Sequence, residues 1–217
     1  KLFKNEILFY FYEKRIMKNL FLFSFLLFGT MVIAQNRVNI SESEAAQTEL
    51  NEEYMNPETT ILEPEDFKDF TGLDFYPIDE KFIVKADFIR TPGEKPFLMP
   101  TSTARLPEYV KYGEAHFTLK GKEFVLNLFK STQPISEPGY EDYLFLPFTD
   151  LTSGDGSYGG GRYLDLRIPE GDTIIIDFNK AYNPYFAYSP RYSCPIPPKE
   201  NDLLIRIEAG VKAFQKD

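Results

Sequence analysis

Tryptophan is absent from this chain of 217 residues, and cysteine and histidine each occur once. A single cysteine, Cys194, cannot close an internal disulfide. A single histidine, His116, cannot supply the several nitrogen or sulfur ligands of a transition-metal site. It also falls at an outward position of a strand. Calcium fares no better. Asp150 and Asp155 are two carboxylates five apart with no closing Glu, whereas a calcium loop needs oxygen ligands at alternating positions. The glycines between 154 and 161 lack the Gly-Lys-Ser/Thr ending of a phosphate loop. They also lack the spacing and the following helix of a dinucleotide fingerprint. No metal and no cofactor is expected.

Positive charge is also in short supply, with 24 Lys and Arg against 33 Asp and Glu. The first 34 residues hold five of the basic and two of the acidic side chains, so 19 face 31 in the rest. Such an acidic body excludes nucleic acid as a partner and is repelled by anionic membranes. Long apolar runs are confined to one place. Met17-Lys18-Asn19 precedes an apolar stretch from Leu20 to Ala34 that ends in small residues, the three parts of a secretory signal. Cleavage after Ala34 leaves a mature chain of 35–217, exported to the periplasm or secreted, with no stable membrane anchor. The sixteen residues before Met17 fit no signal and read as an upstream extension from a translation start assigned too early. The rival is an uncleaved anchor helix that includes Ile7 to Phe11.

Sixteen prolines and thirteen glycines punctuate the chain, which favours many short strands joined by turns. A helical lead-in over 35–74 comes first. Ser41 and Glu44 form a capping box, and Ala46, Leu50 and Tyr54 give one apolar helix face. Pro64 opens a second short helix with Phe67 and Phe70 inward. A β domain over 75–217 follows. Phe82, Val84, Ala86 and Phe88 alternate with Ile83, Lys85, Asp87 and Ile89, a strand buried mainly on one face. Residues 114–119 and 124–128 alternate around Lys120-Gly121-Lys122, which predicts a hairpin. Further strands are expected at 143–148, 163–168, 173–178 and 203–209. The fold class is all-β, an antiparallel sandwich or barrel, behind the helical lead-in.

The stretch 153–201 stands apart. It packs Gly, Asn, Tyr and Pro around Arg162 and Cys194, residues that build fixed irregular loops. Arg162 can clamp a carboxylate or phosphate through two parallel hydrogen bonds; equally, it can pair with a local acid at a tight bend. Asn179 and Asn183 can hold the loop through its backbone, and Tyr158 and Tyr182 can wall a pocket. Cys194 is either buried, free and reactive, or paired with another chain. A reactive thiol would need His116, Arg162 or Arg191 nearby.

These residues carry a resemblance. Tyr158 to Arg162, Asp177 to Pro184, Ala187-Tyr188, Cys194-Pro195, Pro197-Pro198, Glu200-Asn201 and Ala209-Gly210 resemble the bacterial and archaeal family called domain of unknown function 1684. Phe75 to Asp79 does so too. The resemblance covers about residues 42–214. It implies one coherent domain whose loops belong together, but no activity and no catalytic residues. Where the family often has a second Cys, this chain has Phe186, so a paired-thiol role is not implied here.

Three functions fit these observations. The first is binding of a small polar or anionic ligand by Tyr158, Arg162, Asn179, Tyr182, Asn183 and Cys194, with Glu200 supporting Arg162. The second is a hydrolase-type enzyme using Glu200 or Asp177 as general base. The third is a structural or partner-binding envelope protein. Oligomeric state is not legible.

Overall fold

A computed structural model describes residues 40–133 and 138–215. The signal expected at 17–34, the extension before it and the cleavage after Ala34 lie outside these residues. Among the described residues, no helix is long and apolar enough to cross a membrane.

Helix α1 (40–55) is already helical at its first described residue, so Ser41 sits inside it and is not its cap. Tyr54 on its inner face is buried and meets Tyr188 edge-on at 4.9 Å between ring centres. Helix α2 (Pro64–Asp69) has proline in its first turn, with Glu65 and Asp66 beside it. These suit a helix start, where the missing proline N–H costs nothing and the dipole favours acids. Phe67 and Phe70 pack with Tyr54, Ile61, Leu62 and Tyr188 in a small separate cluster.

The strands are β1 (Ile83–Arg90), β2 (Phe97–Leu98), β3 (Glu108–Leu119), β4 (Lys122–Ser131), β5 (Tyr143–Asp150), β6 (Arg162–Arg167), β7 (Thr173–Asp177) and β8 (Asp202–Leu203). Phe82 belongs instead to a short 3-10 turn, capped by the Asp79 carboxylate, which accepts from the Lys81 amide. The β3–β4 hairpin turns at Lys120 and Gly121, both at positive φ, as a tight two-residue turn requires.

Hydrogen-bonded order is β6-β5-β4-β3-β1-β7, with β2 added to β3 and β8 to β5. Every pairing is antiparallel except β5 with β8. The sheet curls into a half-barrel with β6 and β7 as its two end strands. Tyr163 and Tyr182 exchange backbone hydrogen bonds of 2.9 and 3.1 Å, which ties the first turn of β6 to the chain after β7.

The main core fills one face, with Ala86, Leu126, Leu128, Leu144, Leu146, Phe148, Ile176 and Phe178 fully covered. Phe148 meets Phe178 edge-on at 5.3 Å, a geometry worth on the order of 1 kcal/mol beyond burial. The opposite face of β5 and β6 carries a second cluster of Met99, Phe129, Phe145 and Tyr163.

The expected last strand, 203–209, is a strand only at Asp202–Leu203. Its alternation is real: Leu203, Ile205, Ile207 and Ala209 are buried. What is missing is one neighbouring strand. The Leu151 amide donates to the Ile205 carbonyl, and the Ile207 amide donates to the Asp150 carboxylate. The carbonyls of Ile207, Ala209 and Val211 accept from the Arg162 guanidinium. An extended backbone satisfied piecemeal has the side-chain period of a strand without a ladder.

Candidate functional site

Arg162 is wholly buried. Its Nη2 donates to Asp150 Oδ2 at 2.9 Å and to the Ile207 carbonyl at 2.8 Å, and a weaker contact of 3.4 Å reaches Thr152 Oγ1. Burial pulls the guanidinium below its ordinary pKa, and the Asp150 carboxylate pushes back. Gly161 permits this inward turn. It has φ +86°, and an added Cβ would lie 2.5 Å from the Phe148 carbonyl. The expected anion clamp is therefore corrected: Arg162 faces the core and fastens the C-terminal segment. Glu200 is exposed on a 3-10 turn, and the acid beside Arg162 is Asp150.

The two asparagines also point inward. Asn179 is fully buried; its amide donates to the Asp79 carbonyl and to Asp177, and its oxygen accepts from the Asp79 amide. It thus pins the 75–79 segment against the end of β7. Asn183, equally buried, donates to the Tyr188 hydroxyl and the Lys212 carbonyl. Asp177 accepts from Ser43 Oγ at 2.6 Å on one oxygen and from Asn179 on the other. A carboxylate so occupied is poorly placed to take a proton from a substrate. Tyr158 is partly buried beside Cys194, and burial raises its phenol pKa.

A cavity of about 700 Å³ does open in this region, around the β6 edge of the sheet. It is lined by parts of β6 and β7 and by one flank of α1 (Glu42, Ala46, Glu49, Leu50 and Glu53), and it includes Tyr182, Asp177 and Cys194 among its lining residues. Tyr158, Arg162, Asn179, Asn183 and Glu200 are not part of that wall. Five tyrosines line it: Tyr109, Tyr143, Tyr163, Tyr182 and Tyr185. Tyr109 and Tyr163 pack on Phe145, Tyr163 edge-on at 4.8 Å, and Tyr163 stands perpendicular to Tyr182 at 5.9 Å.

Asp165 is the polar centre of the wall. Tyr143 and Tyr182 both donate to its Oδ1, at 2.7 and 2.8 Å. Its side chain is nonetheless exposed. Burial, reinforced by Asp165, holds both phenols well above the ordinary tyrosine pKa, so they remain neutral donors. Across the cavity α1 presents Glu49 and Glu53, and the Tyr185 hydroxyl lies 3.4 Å from Glu53. Burial raises the Cys194 thiol pKa, which is the reverse of activation. Its sulfur accepts from the Phe186 amide at 3.3 Å, so positions 186 and 194 are neighbours.

Sequence reasoning missed Tyr143, Phe145, Tyr163 and Asp165. A signal was there: residues 143–148 are apolar at nearly every position, which marks a strand covered on both faces.

The family model described as a protein of unknown function, DUF1684, matches residues 68–212. The chain belongs to the DUF1684 family. Among solved structures, this DUF1684 chain is similar to an uncharacterized protein of Haloarcula marismortui determined by solution NMR. The two are 31% identical, with a TM-score of 0.63, over 79% of this chain and 92% of that one. No curated protein matches. The matched span includes β1 to β8 and all of the cavity wall except its α1 residues.

Proposed function

We propose that this DUF1684 protein binds a small polar ligand in the tyrosine-lined cavity between β6, β7 and α1. The observation that carries the reading is the cavity itself. At about 700 Å³ it falls within the size of small-molecule sites, which combine apolar and aromatic walls with a few convergent polar groups. The packed rings favour a preformed wall over one assembled on binding. Anionic ligands lose support, because Arg162 is sealed in the core and Lys180 is the cavity's one cation among the described lining residues. The protein is read as exported, on the strength of the apolar segment at 20–34 alone.

The test is a fragment screen of the protein by amide chemical-shift mapping, with neutral, cationic and anionic fragments. Binding fragments are expected to move resonances of Tyr109, Tyr143, Asp165, Tyr182 and Tyr185 together. Ala46→Trp, which places an indole at the α1 side of the cavity, is expected to abolish those shifts while the rest of the spectrum persists. Hits that map elsewhere, or that survive Ala46→Trp unchanged, would sink the reading.

A further inference from the structure

The cavity's hydrogen-bonding capacity is lopsided. Four of its five phenols spend their protons on the protein's own acceptors. Tyr143 and Tyr182 donate to Asp165, Tyr163 to the Pro195 carbonyl, and Tyr185 to Glu53. A phenol oxygen whose proton is committed can only accept a further bond. Asp165 uses Oδ1 for both tyrosines and turns an exposed carboxylate to the cavity. The lining cation, Lys180, lies 3.5 Å from Glu42 and 3.9 Å from Asp177, so its charge is already answered. The Cys194 sulfur accepts from the Phe186 amide. The wall therefore offers acceptors, negative charge and the electron-rich faces of tyrosine rings, and few donors.

The complement of such a wall is a compact donor that carries positive charge and an apolar body. We infer that the cavity selects an organic ammonium ion. Asp165 is its counter-charge, and the rings around Tyr182 and Tyr185 embrace its apolar part. A cation over a tyrosine face is drawn by the ring's negative face, more strongly when water is excluded, and a charge-assisted hydrogen bond to a carboxylate is about twice as strong as a neutral one. Tyr143 and Tyr182 act as positioning residues, because their two bonds fix the carboxylate in one orientation. This inference rests on the cavity being a ligand site, and it adds the chemical class.

Three probes of nearly one shape separate the possibilities: phenethylammonium, phenethyl alcohol and phenylpropanoate, titrated into the full chain by amide chemical shifts. The ammonium is expected to bind at least about ten-fold more tightly than the alcohol, with the carboxylate weakest. Asp165→Asn keeps the acceptor for both tyrosines and is expected to weaken the ammonium far more than the alcohol, removing the preference between them. Raising the salt concentration should weaken the ammonium alone. An alcohol or carboxylate that binds as well as the ammonium in the wild-type protein would overturn the cationic assignment, and the cavity would still stand as a site. If none of the three probes shifts a cavity resonance, the cationic assignment falls. The wider fragment screen with Ala46→Trp then decides the site separately. The wild-type comparison is decisive even if Asp165→Asn folds poorly.

Discussion

Two of the charged residues of strand β6, Arg162 and Asp165, stand three positions apart and live in opposite worlds. Arg162 points into the core, where one carboxylate and a set of backbone carbonyls surround it. Asp165 points to the other face, takes two phenol protons on one oxygen, and stays exposed to a cavity. A conspicuous charge among glycines is thus architecture, and an unremarkable aspartate in an apolar strand is the candidate for recognition. Strand parity separates the two, since odd and even residues face opposite sides.

The contrast can be broken at its strongest point first. Arg162→Ala leaves the buried Asp150 carboxylate without its partner and frees the carbonyls of 207–211. Loss of one member of a buried pair costs about 3–5 kcal/mol, a large share of the stability of an ordinary domain. Urea denaturation should show that loss; a change below about 1 kcal/mol would mean that the socket is dispensable.

Alkali probes the tyrosine face next. Burial raises the pKa of Tyr143, Tyr163 and Tyr182 in the folded protein, above the unfolded value of about 10. A raised folded pKa means that the folded state holds these protons more tightly. The associated stability is complete below about pH 10 and is lost as pH climbs above it. Circular dichroism should show unfolding that begins above about pH 10, and Tyr143→Phe with Tyr182→Phe should move that onset upward. An unchanged onset would remove these phenols as the cause.

Asp165→Asn should cost far less stability, about 1 kcal/mol, because the amide oxygen still accepts both phenol protons and only the charge is lost. A loss as large as that of Arg162→Ala would erase the distinction between the two residues. The smallest effect concerns Tyr185, whose pKa is pushed up to about 12, first by burial and then by Glu53. Glu53→Gln should lower it part of the way, since burial remains. Phenolate absorbance against pH reads this directly, and a fall all the way to an ordinary value would assign the shift to Glu53 alone.

The fold was legible wherever period and punctuation coincide. The run 82–89 and the hairpin around Lys120-Gly121 needed only alternation and a turn. Residues 203–209 show the limit of that logic. Their alternation reports burial on one side, and nothing in it reveals that an arginine 45 residues away replaces a neighbouring strand. The site was less legible for a related reason. Arg162, Asn179 and Asn183 have the composition of a binding loop, but polar residues that knit irregular backbone together have the same composition. Only the three-dimensional path distinguishes an amide aimed at Asp79 from one aimed at a ligand. Tyr182 and Cys194 do reach the cavity, carried by a loop whose polar neighbours turn away.

The Arg162 socket also sets an order of events. Its carbonyl acceptors lie at 207–211, 45 to 49 residues after the arginine, and the amide of Tyr76 must find the Gly210 carbonyl from still farther away. Contacts of such separation are costly to close and come late in folding. A growing chain that has reached β7 therefore holds a guanidinium paired with Asp150 but lacking its carbonyl acceptors, and it can complete its core only once residue 211 has been made. The half-barrel is thus a structure whose core waits for the segment 207–211 before it can close.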